Sequence, residues 1–310
     1  MARRSTEVTR FLSNSLAPNT LRAYARDIER FKQNGGRIPA TPDQVARYLA
    51  AAAAELKPST LARQVAAISY AHEQRGLPSP AKTAVVRRTL RGIRRSKGVA
   101  QKQATPVTPE LVREVARPVR SLTEAQNQRD AALFLLAFAG GFRRSEIASL
   151  RVGDLSFSKQ GLVIKLRSSK TDQYQRGRHV AIPKAREPQQ CPVRAVRNWL
   201  ASMAALKGLV DPGPELPLFC SIDRHGNARA NRLNGASVGW LLRRRLALHG
   251  LPTVGYTAHS FRAGLVTSAA KAGVPVWAIQ RQTGHRSEST VHRYIRGLNT
   301  FECNPLTALL

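Results

Sequence analysis

The stretch at residues 98–108, GVAQKQATPVT, most limits what this chain can fold into. It is polar, contains proline and has no apolar period, so it suits neither a helix face nor a strand and reads as a linker. Two bodies follow, each needing its own core. The 310 residues leave room for both, since a domain usually takes about 100–200 residues. A hydrophobic fraction of 42% supplies the apolar surface.

The first body, residues 1–97, reads as helices throughout. Leu21, Tyr24, Ile28 and Phe31 recur at helical spacing, and Thr41-Pro42 is an N-cap followed by proline at the first helical position. Ser59 is expected to cap a further helix, STLARQVAAISYAHEQRG, and a basic helix containing Arg94 and Arg95 follows. The second body, residues 109–310, opens in the same N-cap fashion at Thr108-Pro109. Its apolar helix at 129–139 stops at Gly140-Gly141, and FRRSEIASL restarts a helix at once. The stretch LSFSKQGLVIKLRSSKTDQYQRGRHVAIP alternates with period two and predicts three antiparallel strands. RANRLNGASVGWLLRRR reads as a loop entering a helix. The fold class is therefore mainly α with a small antiparallel sheet.

Charge narrows the function. Fifty Lys and Arg against nineteen Asp and Glu give +31 and a pI near 11.6. Such a chain repels itself when compact, and nucleic acid is the usual neutralising partner. The excess is spread over both bodies, so each is expected to touch phosphate. The longest apolar stretch, 131–142, is far short of the roughly 20 residues a membrane span requires. The basic start lacks the apolar core of a signal peptide. Cys191, Cys220 and Cys303 lack metal-ligand spacing and read as small core residues of a protein in a reducing cytoplasm. Neither a metal nor a cofactor is expected.

Four segments of the second body carry candidate chemistry. In Gly140-Gly141-Phe142-Arg143-Arg144-Ser145-Glu146 a guanidinium meets a helix N-terminus, a ready anion site, and Glu146 can orient an arginine. Lys170 sits in a turn between strands; His259 and Arg262 lie three residues apart on one helix face; Gly284-His285 precedes Tyr294 by nine residues. Each alone has an ordinary explanation: a surface ion pair, a solvated hairpin lysine, a core histidine, a packing tyrosine. Together and in this order they resemble the tyrosine recombinase (phage integrase) family. Arg143, Lys170, His259, Arg262, His285 and Tyr294 match its six catalytic positions, and the spacing Arg-x-Ser-Glu selects Arg143 over Arg144.

That resemblance implies a site-specific DNA recombinase with a helical N-terminal core-binding (SAM-like) domain and a catalytic domain, together forming a C-shaped clamp on DNA. Tyr294 would attack phosphorus, Arg143 and Arg262 would bind the non-bridging oxygens, and Lys170 would protonate the leaving 5′-oxygen. His259 would assist deprotonation of the tyrosine, and His285 is expected to donate to the phosphate. The segments AAISYAHEQRGLPSP and AGLVTSAAKAGVPVWAIQRQTGH are similar to the Cre-type branch. That branch carries tryptophan at the position of His285, so the Xer and phage-integrase branches stay open. The resemblance further implies a double-stranded site with inverted repeats, a dimer on each site, and a homotetramer on DNA. The apolar tail at 299–310 would dock in a neighbouring protomer; a monomer in solution is compatible with this.

Candidate DNA contacts in the first body are Asn19, Thr20, Ser59, Thr60, Arg63, Gln64, Arg94 and Arg95. In the second they are Arg232, Asn234, Ser237 and Arg243, with Arg244 and Arg245 expected on the DNA backbone beside it. Two other readings compete. A type IB topoisomerase-like enzyme would share the chemistry without strand exchange, and a non-enzymatic DNA-binding regulator would share only the basic surfaces.

Overall fold

In the computed structural model the described residues are Glu7, Phe11, 15–99, 103–167, 177–206 and 213–295. The chain divides into two compact units, Met1–Lys102 and Gln103–Leu310.

The first unit contains helices α1 (Pro18–Gln33), α2 (Pro42–Ala52), α3 (Pro58–Glu73) and α4 (Ala84–Lys97). Proline opens three of them, where its missing N–H costs nothing. Thr41 Oγ1 accepts from the Gln44 N–H, as its cap position predicts. Ser59 is not a cap: Lys57 holds that position without a side-chain bond, and Ser59 lies in the first turn of α3. Phe31, Val45, Leu49, Leu61, Ile68 and Val86 form the core, wholly removed from solvent. Each such side chain contributes about 1.5–3 kcal/mol by burial. Helix α1 packs on α3 and α2 on α4.

The second unit contains α5 (Pro109–Ala116), α6 (Glu124–Gly140), α7 (Arg144–Ser149), α8 (Pro192–Leu206), α9 (Gly235–Leu248), α10 (His259–Lys271), α11 (Val276–Thr283) and α12 (Glu288–Ile295). Helix α6 is buried along most of its length and packs on α5, α8 and α10. Strands β1 (Leu155–Phe157), β2 (Gly161–Leu166) and β3 (Arg178–Pro183) form the expected antiparallel sheet, with Ile164 opposite Val180 and Leu162 opposite Ile182. A second hairpin, β4 (Cys220–Ile222) with β5 (Ala228–Arg232), replaces part of the loop expected at RANRLNG. Strand β5 is mostly exposed, so no apolar alternation announces it.

The stretch read as a linker is not uniform. The Thr105 N–H donates to Gly255 O and the Val107 N–H to Ser260 O, and Val107 is wholly buried. Gly264 makes this possible, since a Cβ there would stand 1.8 Å from Val107 O. Residues 105–107 therefore lie on the second unit. No helix of the described residues is long and apolar enough to cross a membrane.

Candidate functional site

The break between α6 and α7 delivers the first arginine. Gly141 adopts φ +56, a left-handed conformation that glycine takes without strain, and caps α6. Arg143 then occupies the N-cap of α7. Its main-chain N–H donates to Glu146 Oε2 at 2.9 Å and its Nη1 to Glu146 Oε1 at 2.6 Å. Glu146 is buried, whereas Arg144 is exposed. The adjacent arginines thus point apart.

Arg262, on the buried face of α10, donates from Nη1 to Gly141 O (2.8 Å) and Thr283 O (2.6 Å), and from Nε to His285 Nε2 (3.2 Å). Its Nη2 is buried and makes no hydrogen bond among the described residues. His285 follows the left-handed Gly284 that caps α11, and its Nδ1 lies 2.7 Å from Thr283 Oγ1. Tyr294 comes from α12, which is held by the small core of Val266, Ile279 and Val291. Its ring stacks at a tilt on His285, with centroids 5.5 Å apart. The Thr267 hydroxyl donates to Tyr294 O at 3.0 Å, tying α12 to α10.

A third guanidinium joins this corner. Arg178, the first residue of β3, donates from Nη1 to Gln282 O (2.8 Å) and from Nη2 to Thr283 O (3.2 Å). Its Nη2 also lies 3.8 Å from Glu146 Oε2. Arg178 is not among the sequence candidates, although a signal exists: residues 178, 180 and 182 share one face of the strand, and Val180 and Ile182 are buried. Thr283, also unread, is fully buried among these groups.

Arg143 and Arg178 are paired with the carboxylate of Glu146, and Arg262 lies within its electrostatic reach, so positive charge is in excess. Burial, and then the neighbouring Arg143, pushes Arg262 down to about 10. Burial likewise lowers Arg178. His285 is pushed down to about 3 by burial, then by Arg262, Arg143 and Arg178, so its ring is neutral near pH 7. This is the electrostatics of an anion site.

Of the other expected site residues, His259 is described and Lys170 is not. His259 is the exposed first residue of α10, its N–H donating to Thr257 Oγ1 at 3.1 Å. Lys170, Cys303 and the tail at 299–310 lie outside the described residues.

The structure also sorts the candidate DNA contacts. Asn19, Ser59, Arg94, Arg95, Arg232 and Arg243 are exposed, and Thr20, Thr60 and Ser237 are half-buried. Gln64 cannot read DNA: it is buried and accepts from the Tyr48 hydroxyl at 3.0 Å, giving that phenol its buried partner. Arg63 is held by Asp27 through Nε (2.7 Å) and Nη2 (3.0 Å), so its fork is committed within the unit. Asn234 caps α9 by accepting from the Ala236 N–H at 2.9 Å. Arg243 donates to Tyr256 O at 3.2 Å. Arg245, expected on the DNA backbone, is wholly buried and bonded to Val115 O, Arg117 O and Asn127.

The phage integrase family profile matches residues 108–300, and the phage integrase N-terminal SAM-like domain profile matches residues 9–73. The chain is 36% identical over 315 residues to the integrase/recombinase xerD homolog of Selenomonas ruminantium, covering 99% of this chain and 90% of that protein. It is 26% identical over 278 residues to recombinase cre of Escherichia phage P1, covering 85% and 78%. In fold it is similar to a lambda integrase tetramer bound to a Holliday junction, with TM-score 0.61, 17% identity, and 94% and 76% coverage. It is also similar to the XerH site-specific recombinase in a post-cleavage complex with palindromic difH substrate, with TM-score 0.61, 19% identity, and 87% and 71% coverage. The chain belongs to the phage integrase family, the tyrosine recombinases. Its activity is site-specific DNA recombination, by enzymatic cleavage and rejoining of strands, and the topoisomerase-like alternative is not favoured.

Proposed function

We propose that Tyr294 is the nucleophile of this reaction and that Arg143, Arg262 and His285 form the phosphate site around it, with Lys170 and His259 handling protons. The observation that carries the reading is the contact of Tyr294 with His285, which is itself bonded to Arg262, whose buried Nη2 has no acceptor among the described residues. A phenol has a pKa near 10, so only about one in a thousand is ionised at pH 7. Tyr294 must therefore lose its proton as it attacks, to His259 or to the phosphate. The O–P bond to the 5′-oxygen breaks as the tyrosyl O–P bond forms, and Lys170 supplies the proton that the leaving oxygen takes. The 3′-phosphotyrosyl link is resolved by a 5′-hydroxyl from another duplex, through a Holliday junction. Arginines suit the non-bridging oxygens because their planar fork donates twice, and donors fixed in advance supply much of such catalysis.

The domain roles follow. Residues 1–97 bind DNA and 109–310 catalyse, and the stretch 98–108, whose residues 105–107 pack on the second unit, joins the two. The site carries inverted repeats, each bound by one protomer, and two dimers assemble as a homotetramer. An apolar cavity of about 390 Å³ lined by Ile182, Leu265, Ala269, Val274, Ala278 and Ile279 supports this assembly as the seat for residues 299–310 of a second copy. The protein acts in the cytoplasm of a bacterial cell, on chromosomal, phage or plasmid DNA.

The test is covalent capture. The protein is incubated with fragmented host DNA, quenched with detergent, and the protein-linked DNA is recovered and sequenced. One recurrent site, lost with Tyr294→Phe, is the expected result. An adduct that survives Tyr294→Phe refutes the assignment.

A further inference from the structure

The Thr283 side chain occupies a constrained place. It is wholly buried at the end of α11, and its methyl faces Gly141 so closely that a Cβ there would come within 2.9 Å of it. Its hydroxyl lies 2.6 Å from Ile279 O and 2.7 Å from His285 Nδ1. A hydroxyl has one proton. The Ile279 carbonyl can only accept, so the proton goes there, and towards the ring the oxygen must accept. Nδ1 therefore carries a hydrogen. On the other side of the ring, Arg262 Nε lies 3.2 Å from His285 Nε2. A guanidinium only donates, so Nε2 must be bare. Two independent partners impose the same tautomer. The opposite one would set Nε2–H against Arg262 Nε–H and leave the buried Thr283 oxygen facing a lone pair.

The same residue holds both arginines through its main chain, Arg262 at 2.6 Å and Arg178 at 3.2 Å. We infer that Thr283 is a positioning residue for strand cleavage: its hydroxyl locks His285 as the Nδ1–H tautomer, so that Nε2 accepts from Arg262 and aims that guanidinium at the phosphate. The neutrality of the ring is consistent with its crowding by three guanidiniums. This inference rests on the proposed role of Arg262 and His285 in phosphate binding.

Thr283→Val keeps the shape and removes the hydroxyl, whereas Thr283→Ser keeps the hydroxyl and drops the methyl. The first readout needs no DNA. In protein labelled with ¹⁵N at histidine, with the His285 signals identified by their loss in His285→Gln, the wild type at pH 7 should show hydrogen on Nδ1 and a bare Nε2. Thr283→Ser should preserve this pattern, and Thr283→Val should move hydrogen towards Nε2. The second readout is single-turnover cleavage of a duplex carrying the captured site. Thr283→Val should cleave at least about tenfold more slowly, with DNA affinity within about twofold of wild type, while Thr283→Ser should recover most of the rate.

A wild-type ring protonated at Nε2 overturns the inference whatever the variants do, including a Thr283→Val that fails to fold. So does a Thr283→Ser as slow as Thr283→Val, or a tautomer change without a change in rate. The underlying catalytic reading fails separately, by an adduct that persists in Tyr294→Phe.

Discussion

Arg143 and Glu146 bind each other twice, main-chain N–H to Oε2 and Nη1 to Oε1, across a single helical turn. The carboxylate thereby caps α7 and fixes the guanidinium with one buried group, and its Oε2 also faces Arg178. Glu146→Gln would keep the shape but remove the charge. The loss of a charge-assisted bond, about 1.5–3 kcal/mol, predicts roughly ten- to hundredfold slower cleavage if it is expressed in the transition state. Single-turnover rates on the captured site measure this; an unchanged rate would show that Arg143 needs no anchor.

The pH dependence of stability has a definite sign. An unfolded histidine titrates near 6.5, while folded His285 does so at about 3. Between these values the unfolded chain binds a proton that the folded one does not, so stability falls as pH drops from about 6.5 towards 3. Above that window His285 contributes nothing. His249, lowered by burial and Arg245, acts in the same direction, and Asp130, raised by burial, opposes both. Thermal melts from pH 7.5 to 4.5 should show a decline that is shallower in His285→Gln. Parallel declines in the two proteins would contradict the assignment.

Arg245 predicts a stability effect without a DNA effect. Its guanidinium is wholly buried, bonded to two main-chain carbonyls and to Asn127, and 4.0 Å from Asp130. Arg245→Met leaves those acceptors short of a donor and Asp130 short of a cation, a loss of roughly 3–5 kcal/mol by analogy with broken buried pairs. Urea unfolding would register it. Folded protein at low denaturant should keep its affinity for DNA, and a loss of affinity there would return Arg245 to the DNA surface.

The exposed Arg94 and Arg95 predict the reverse pattern. If each meets a phosphate, log K against log[salt] should become shallower by about 0.9 for each arginine changed to Ala, with melting little altered. An unchanged slope would place both in solvent only.

Much of the fold was legible because its signals are local. Thr41 and Thr108 cap the helices they precede, Gly141 stops α6, and the alternation across 155–183 forms the sheet. A cap or a period-two pattern acts over a few residues and needs no distant partner. The order of Arg143, Arg262, His285 and Tyr294 was likewise written in the sequence, and the fold brings these four into one corner. Gln64 and Arg245 were misread because composition gives a side chain's type but not the face it occupies. In the run Arg243-Arg244-Arg245 each step turns the helix by about 100°, so one arginine is wholly inside while another is exposed.

The sequence alone thus determined the helix starts at Thr41 and Thr108, the three-stranded sheet, the family and the four positions that converge in one corner. Only tertiary structure decided that Arg178 would share Glu146, that Thr283 would bridge Ile279 and His285, and that Arg63 would be held by Asp27. The reason is distance along the chain. Arg178 meets Glu146 and Thr283 from different elements, and the packing of those elements fixes the direction of a proton that residue identities leave open.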